Sequence, residues 1–205
     1  MKKILIIKHG ALGDVILSLY AIHSIKNHFK LSEITLLTEE KYVDIFLNLK
    51  FIDKIIVDNR PKIFLSYQFI KLFIWFYKSN FDWIFDLQTS FRTKIYFKIF
   101  STFKKFNWNG IENKCSHPHL DANRKRLHTK ERHKKQLEKA GIKSIEIIDW
   151  SFLDANISNF NLPNQYVILV PGGSFKRSEK RWEKNNFIEI IHYLSKKNFF
   201  SVLVG

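Results

Sequence analysis

Three stretches of this 205-residue chain hold residue types at spacings that could do chemistry. In Gly10-Ala11-Leu12-Gly13-Asp14, two glycines bracket a turn and an aspartate follows. Glycine permits a tight turn and close approach by a ligand, which makes Gly13 a candidate substrate-contacting position. Asp14 is then either a helix N-cap, taking a hydrogen bond from an orphan backbone amide, or a carboxylate at the rim of a cleft, taking a proton from a substrate hydroxyl. Local chemistry leaves both open. In Asp86-Leu87-Gln88-Thr89-Ser90-Phe91-Arg92-Thr93, a carboxylate, an amide, hydroxyls and a guanidinium suit a polyhydroxylated, acidic ligand. The structural alternative is a capped helix start with Arg92 paired to Asp86. In Pro171-Gly172-Gly173-Ser174-Phe175-Lys176-Arg177-Ser178-Glu179-Lys180-Arg181-Trp182, the Gly173 and Ser174 amides could bind phosphate oxygens. Lys180 and Arg181 add positive charge there, and arginine grips phosphate bidentately. A solvated basic loop is the competing reading.

Some chemistries do not fit. The first turn lacks the middle glycine of Gly-x-Gly-x-x-Gly and the Gly-Lys-Ser/Thr ending of a P-loop. Cys115, His117, His119, His128 and His133 invite zinc, but one cysteine at these spacings is poor support, so no metal site is expected. With no helix-turn-helix, zinc-finger or RNP-like signature, and aromatics held in apolar runs, no nucleic-acid partner is expected.

Each stretch must be positioned by its elements. Ile4–Ile7 is a continuous apolar run, as in a parallel strand covered on both faces. From Val15, the residues Leu19, Ile22, Ile25 and Phe29 recur at helical spacing. Strand-like runs follow at Ile34–Thr38, Lys54–Val57 (ending on Asp58) and Trp83–Leu87. They alternate with helix-like runs at Lys41–Leu49, Ile63–Tyr77 and Phe91–Phe100. This rhythm predicts a doubly wound α/β domain whose chemistry sits at the carboxyl edge of a parallel sheet. Residues 104–128 show no period and read as irregular, basic surface. Thr129 is placed to cap a helix through Leu137 and Ala140, stopped by Gly141. Asp154–Pro163 reads as a linker, dividing a first domain (1–160) from the start of a second (161–205). There a strand at Tyr166–Val170, a helix at Phe187–Leu194 and a strand at Phe200–Val204 make one β-α-β unit. That is too little to bury a core of its own, and the natural protein is expected to continue past Gly205.

The net charge of +15 predicts attraction to polyanions: nucleic acid, anionic lipid or a phosphorylated substrate. The single cysteine and the lack of a signal peptide before the first strand predict a cytoplasmic protein. No run reaches the length of a spanning helix. Ile63–Tyr77, rich in aromatics and flanked by Lys62 and Lys78, is either a core-packing helix or an interfacial one. Both hold if one side packs and the other meets lipid.

Taken together, these pieces resemble glycosyltransferase family 9, the lipopolysaccharide heptosyltransferases. The resemblance is carried by the opening Ile-Leu-Ile-Ile-Lys-His-Gly-Ala-Leu-Gly-Asp, by Asp86-Leu87-Gln88 to Arg92, by the Glu131-Arg132 to Gly141 helix, and by Pro171-Gly172-Gly173-Ser174 leading to Lys180-Arg181-Trp182. It implies a GT-B fold, two Rossmann-like domains facing a cleft, and an inverting, metal-independent sugar transfer with no cofactor. On this resemblance the donor is a nucleotide-sugar, ADP-heptose by default, and the acceptor a lipid-linked acidic saccharide at an anionic membrane surface. Asp14 is implied as general base, and Lys180 and Ser174 as donor-phosphate contacts. Arg60 and Arg92 could hold acidic groups of the acceptor. Two departures stand out: Glu183 replaces the usual Pro after Trp182, and further donor-binding residues would fall beyond Gly205.

Overall fold

The computed structural model describes residues 1–61, 66–143, 147–151, 156–173 and 178–204, with the side chain of Lys180 excepted. The chain forms two compact units, Met1–Leu153 and Asp154–Gly205.

The first unit is a six-stranded sheet in the order β3-β2-β1-β4-β5-β6, with every pairing parallel. β1 (Lys2–Ile7) lies at its centre because Ile4, Leu5, Ile6 and Ile7 have no exposed surface. Burial on that scale contributes roughly 1.5–3 kcal/mol per side chain. Alternation along the strand divides the core. Ile4 and Ile6 pack with α1 (Leu12–His28) and with Leu137 of α5 (Thr129–Glu138). Leu5 and Ile7 pack with α3 (Tyr67–Lys78) and α4 (Phe91–Phe103) on the other face. There the Phe76 and Phe100 rings stack at 3.6 Å. β2 (Ser32–Thr38) and β3 (Lys54–Val57) extend one side of β1, and β4 (Trp83–Asp86) begins the other.

Helix entries follow local chemistry. Ser66 caps α3 by accepting the Phe69 amide, and Ser90 and Thr93 form a reciprocal capping box on α4. The Lys41–Leu49 expectation resolves into a 3-10 turn at Glu40–Tyr42 and the short helix α2 (Val43–Leu47). The helix expected from Ile63 is seen over Tyr67–Lys78, and Ile63, Phe64 and Leu65 lie outside the described residues.

The expectation of an irregular 104–128 is corrected. β5 (Asn107–Gly110) and β6 (His117–Pro118) complete the sheet. Neither has an apolar run, because their pairing is fixed by polar contacts. Asn109 Nδ2 donates to the carbonyls of His117 (3.0 Å) and Gln136 (2.8 Å), and only Trp108 anchors β5 in the core.

In the second unit, β7 (Tyr166–Leu169) and β8 (Phe200–Leu203) pair in parallel around α6 (Lys184–Lys196). None of its described residues is buried. No helix among the described residues is long and apolar enough to cross a membrane.

Candidate functional site

In the strand order 3-2-1-4-5-6 the chain reverses direction across the sheet between β1 and β4, and open α/β sheets place ligands at the carboxyl ends of such a switch point. Lys8, His9 and Gly10 leave β1 there, and Leu87, Gln88 and Thr89 leave β4. The two exits are tied directly: the His9 amide donates to Gln88 Oε1 at 3.1 Å. Thr89 has φ 48°, a left-handed conformation that costs a β-branched residue roughly 1–3 kcal/mol. It is held there by its amide, which donates to Asp86 Oδ1 (2.7 Å), and by Arg124 Nη2, which donates to its hydroxyl (3.0 Å).

Asp14 occupies the first turn of α1 and is not its cap. Ala11 holds the N-cap position without a side-chain hydrogen bond, and the Gly10–Ala11 peptide is cis. The half-buried Asp14 carboxylate instead reaches across to the start of α5, where the Thr129 hydroxyl donates to Oδ1 at 2.9 Å. Arg132 Nη2 donates to that same hydroxyl oxygen at 3.1 Å, which polarises it toward the acid. Among the described residues no hydrogen bond reaches Asp14 Oδ2. Thr129 therefore does not cap α5. His128 does, its Nδ1 accepting the Lys130 amide. Placing the cap one residue earlier frees the threonine hydroxyl for Asp14.

Behind Asp14 lies Lys8, only 3% exposed. Burial lowers its pKa to about 8, with Asp14 the largest opposing influence, Arg132 adding to the depression and Asp86 resisting it. The folded value lies below the unfolded 10.5. The buried charge therefore costs stability at neutral pH, and that cost disappears as pH rises from about 8 toward 10.5. Lys8→Met is accordingly expected to stabilise the fold by about 1–3 kcal/mol at pH 7, with the gain fading toward pH 10. Urea unfolding at the two pH values checks this. A Lys8→Met protein less stable at pH 7 would show that the ammonium is well accommodated.

The other anticipated residues part company. Asp86 is 2% exposed, and burial pushes its pKa up to about 6 against hydrogen bonds from Thr89, Thr93 and Gln88 and the charge of Arg124. It organises the loop and does not present itself to a ligand. Arg92 does not pair with Asp86. Its guanidinium donates to Tyr96 Oη (3.1 Å) and to the Pro61 carbonyl. Arg60 closes on Glu39 at 2.6 Å, so part of its charge is already answered. Gly13 is the second residue of α1, and a Cβ there would meet open space, so no tight approach requires glycine. It is Gly10 that is crowded: a Cβ would lie 2.9 Å from the Tyr42 side chain. Gly173 and Arg181 are joined in the second unit by a 2.7 Å bond from Arg181 Nη2 to the Gly173 carbonyl. Lys180 ends a 3-10 turn, Ser178–Lys180, and Ser174 lies outside the described residues. Trp182 packs edge-on against Phe187 at 5.2 Å, within a cavity of about 290 Å³ that Arg181 and Lys184 also line.

Four residues to which the sequence reading gave no role in the site complete the cluster. Lys8, Thr129, Arg132 and Arg124 bring three cations around Asp14 and Asp86. Gln136 buttresses them, donating to the Asp86 carbonyl (2.9 Å) and accepting from Arg124 (3.2 Å). A lysine closing a buried apolar strand just before a glycine turn was the available signal for Lys8. Nothing local pointed to Thr129 or Arg124. The histidines have other work: His133 sits under the Leu87 carbonyl, burial drives its pKa down to about 3, and His117 packs on Trp83. Among the described residues no group of three potential ligands could hold a metal ion. A cavity of about 550 Å³ walled by Lys94, Phe97, Lys98 and Lys114 takes no lining from the Asp14 cluster. Topology and chemistry, not volume, locate the site.

No protein-family model and no curated protein matches the chain. Solved structures do. A glycosyl transferase family 9 protein from Veillonella parvula DSM 2008 aligns with a TM-score of 0.74 and 20% identity, over 98% of this chain and 62% of its own. E. coli heptosyltransferase WaaC, solved with ADP-2-deoxy-2-fluoro heptose, aligns at 0.67 and 18% identity, over 99% of this chain and 69% of its own. E. coli ADP-heptose lps heptosyltransferase II aligns at 0.70 and 16% identity, over the whole of this chain and 64% of its own. At such identities the likeness establishes the fold: this chain has the Rossmann-like α/β architecture of these GT-B enzymes across its length and spans about two thirds of theirs.

Proposed function

We propose that a chain with this fold serves an inverting, metal-independent glycosyltransferase, moving heptose or a related sugar from a nucleotide-sugar to an acidic lipopolysaccharide-core acceptor. The observation that carries the reading is the Asp14 carboxylate, held at the switch point by the Thr129 hydroxyl, to which Arg132 donates, with one oxygen uncommitted among the described residues. An acceptor hydroxyl attacks the anomeric carbon as its proton passes to Asp14. The bond from that carbon to the diphosphate breaks, and the nucleoside diphosphate leaves with the electron pair. Lys180, Arg181 and the amides of Gly173 and Ser174 would stabilise the charge growing on it. The absence of any Asp-x-Asp from the sequence supports charge stabilisation by side chains and amides rather than through a metal-bridged diphosphate. That WaaC structures hold ADP and an ADP-heptose analogue supports a nucleotide-sugar as donor. The half-buried cations Arg124 and Arg132 favour an acceptor bearing carboxylates or phosphates.

The test is transfer itself. Radiolabelled ADP-heptose and a truncated lipid A–Kdo acceptor should yield labelled product, and Lys180→Ala should slow turnover about 100-fold. A protein that neither transfers label nor binds ADP-heptose would overturn the reading. A non-catalytic chain that binds acceptor is the second reading, favoured by the lack of buried described residues in the β-α-β unit. Acceptor binding without turnover would select it.

A further inference from the structure

The α3–α4 side of the first unit has an unusual charge pattern. Between Asp58 and Asp82, and again between Asp86 and Glu112, the sequence has no acidic residue, while lysines recur through both intervals. Helix α3 buries Phe69, Leu72 and Phe76 against the sheet. On its opposite face Tyr67, Ile70, Ile74 and Tyr77 are exposed by 77, 45, 47 and 52%. At 3.6 residues per turn these four positions fall within an arc of about 80°. Lys71 and Lys78, both exposed, border the same arc. The patch continues onto α4, where Phe103 is exposed, its ring 6.5 Å from Tyr77 and 5.4 Å from the half-buried Phe73. Lys104 Nζ lies 5.3 Å from the Tyr77 ring.

Large apolar side chains gathered on one outer helix face are costly to hydrate and mark a surface that meets something. The rim decides what. An apolar partner protein would cover the isoleucines but would have to supply acids for Lys71, Lys78 and Lys104, which make no ion pair among the described residues. A bilayer supplies both at once: acyl chains for the isoleucines, a headgroup zone suited to tyrosine, and anionic phosphates for the ammonium groups. We propose that the outer face of α3, continued by Phe103 of α4, docks this protein on an anionic membrane surface. The inference deepens the proposed function by naming how a lipid-linked acceptor would be approached, yet it is read without any sugar transfer.

Co-sedimentation of the full chain with vesicles tests it, comparing phosphatidylcholine alone with an equal mixture of phosphatidylcholine and phosphatidylglycerol. Binding should require the anionic lipid and weaken with salt. Lys71→Gln with Lys78→Gln should lower partitioning on the order of tenfold, and so should Ile70→Ser with Ile74→Ser. Lys125→Gln with Lys134→Gln, which removes equal charge elsewhere, should change it far less. Circular dichroism and thermal melts of the variants should match the wild type, since all these side chains are exposed. No binding to anionic vesicles would overturn the proposal, as would an equal loss in the Lys125 and Lys134 control. A wild-type dimer made monomeric by Ile70→Ser with Ile74→Ser would assign the face to a second copy and overturn it too. The vesicles carry neither donor nor acceptor, so vesicle binding alongside failure of the separate transfer and ADP-heptose binding assays would sink the enzymatic reading alone.

Discussion

Asp14→Asn should slow glycosyl transfer by about 100-fold to 10,000-fold while leaving the fold and donor binding in place. Asparagine keeps the shape of the side chain and an oxygen to accept the Thr129 hydroxyl, which lies at 2.9 Å. What it loses is the basic oxygen that would receive the acceptor's proton. The loss should therefore appear in kcat, with KM for the nucleotide-sugar little changed. Thr129→Val, which removes only the group that orients the acid, should cost less and should also disturb the acceptor's KM. Steady-state rates for the three proteins measure both effects. Transfer at the wild-type rate in Asp14→Asn would remove the residue from proton transfer.

The second large effect is on stability. Asp58 is 5% exposed at the end of β3, and three donors converge on it: His9 Nε2 at 3.0 Å, the Tyr96 hydroxyl and the Arg60 amide at 2.9 Å. Because the carboxylate accepts from Nε2, that nitrogen carries the proton, and His9 Nδ1 stays without a partner among the described residues. Asp58→Ala strands three buried or half-buried donors beneath the Gly10 turn and is expected to destabilise the first unit by about 3–5 kcal/mol. Burial alone would raise the Asp58 pKa, but the bonds from His9 and Tyr96 outweigh it and leave the value below the ordinary 3.8. A depressed folded pKa contributes stability that is fully present above the unfolded value and is lost as pH falls through the folded one. The gap between wild type and Asp58→Ala should thus be flat from about pH 5 upward and shrink in strong acid. Urea unfolding across that range measures it. A gap under about 1 kcal/mol at pH 7 would mean that water replaces the carboxylate at little cost.

The sheet's centre was open to reading from residues alone. Ile4–Ile7 is apolar at every position, and only a strand covered on both faces has a use for that. The same logic found β2, β3 and β4, whose runs are short but apolar. It failed at β5 and β6, where Asn107, Asn109, Gly110 and His117 carry the pairing through amides and carbonyls that no hydrophobic period reveals. Helix α4 starts at Phe91 as read, but α1 starts at Leu12 and α6 at Lys184, ahead of the runs read from Val15 and Phe187, and α5 starts at Thr129 itself; the early starts mattered. With Ala11 and His128 in the cap positions, both Asp14 and Thr129 are released to meet each other.

Sequence by itself determined which groups are available: an acid after a glycine turn, a basic loop after a later strand, and a doubly wound sheet to hold the first of them. Those are properties of neighbours along the chain, and spacing records them. Only the tertiary structure decided which groups touch. Asp14 finds its hydroxyl 115 residues away, Lys8 is sealed behind it, and Arg92 turns from Asp86 to Tyr96. Such pairings are chosen by parallel crossovers that bring the carboxyl ends of distant strands together, and no local pattern encodes which distant side chain will stand opposite.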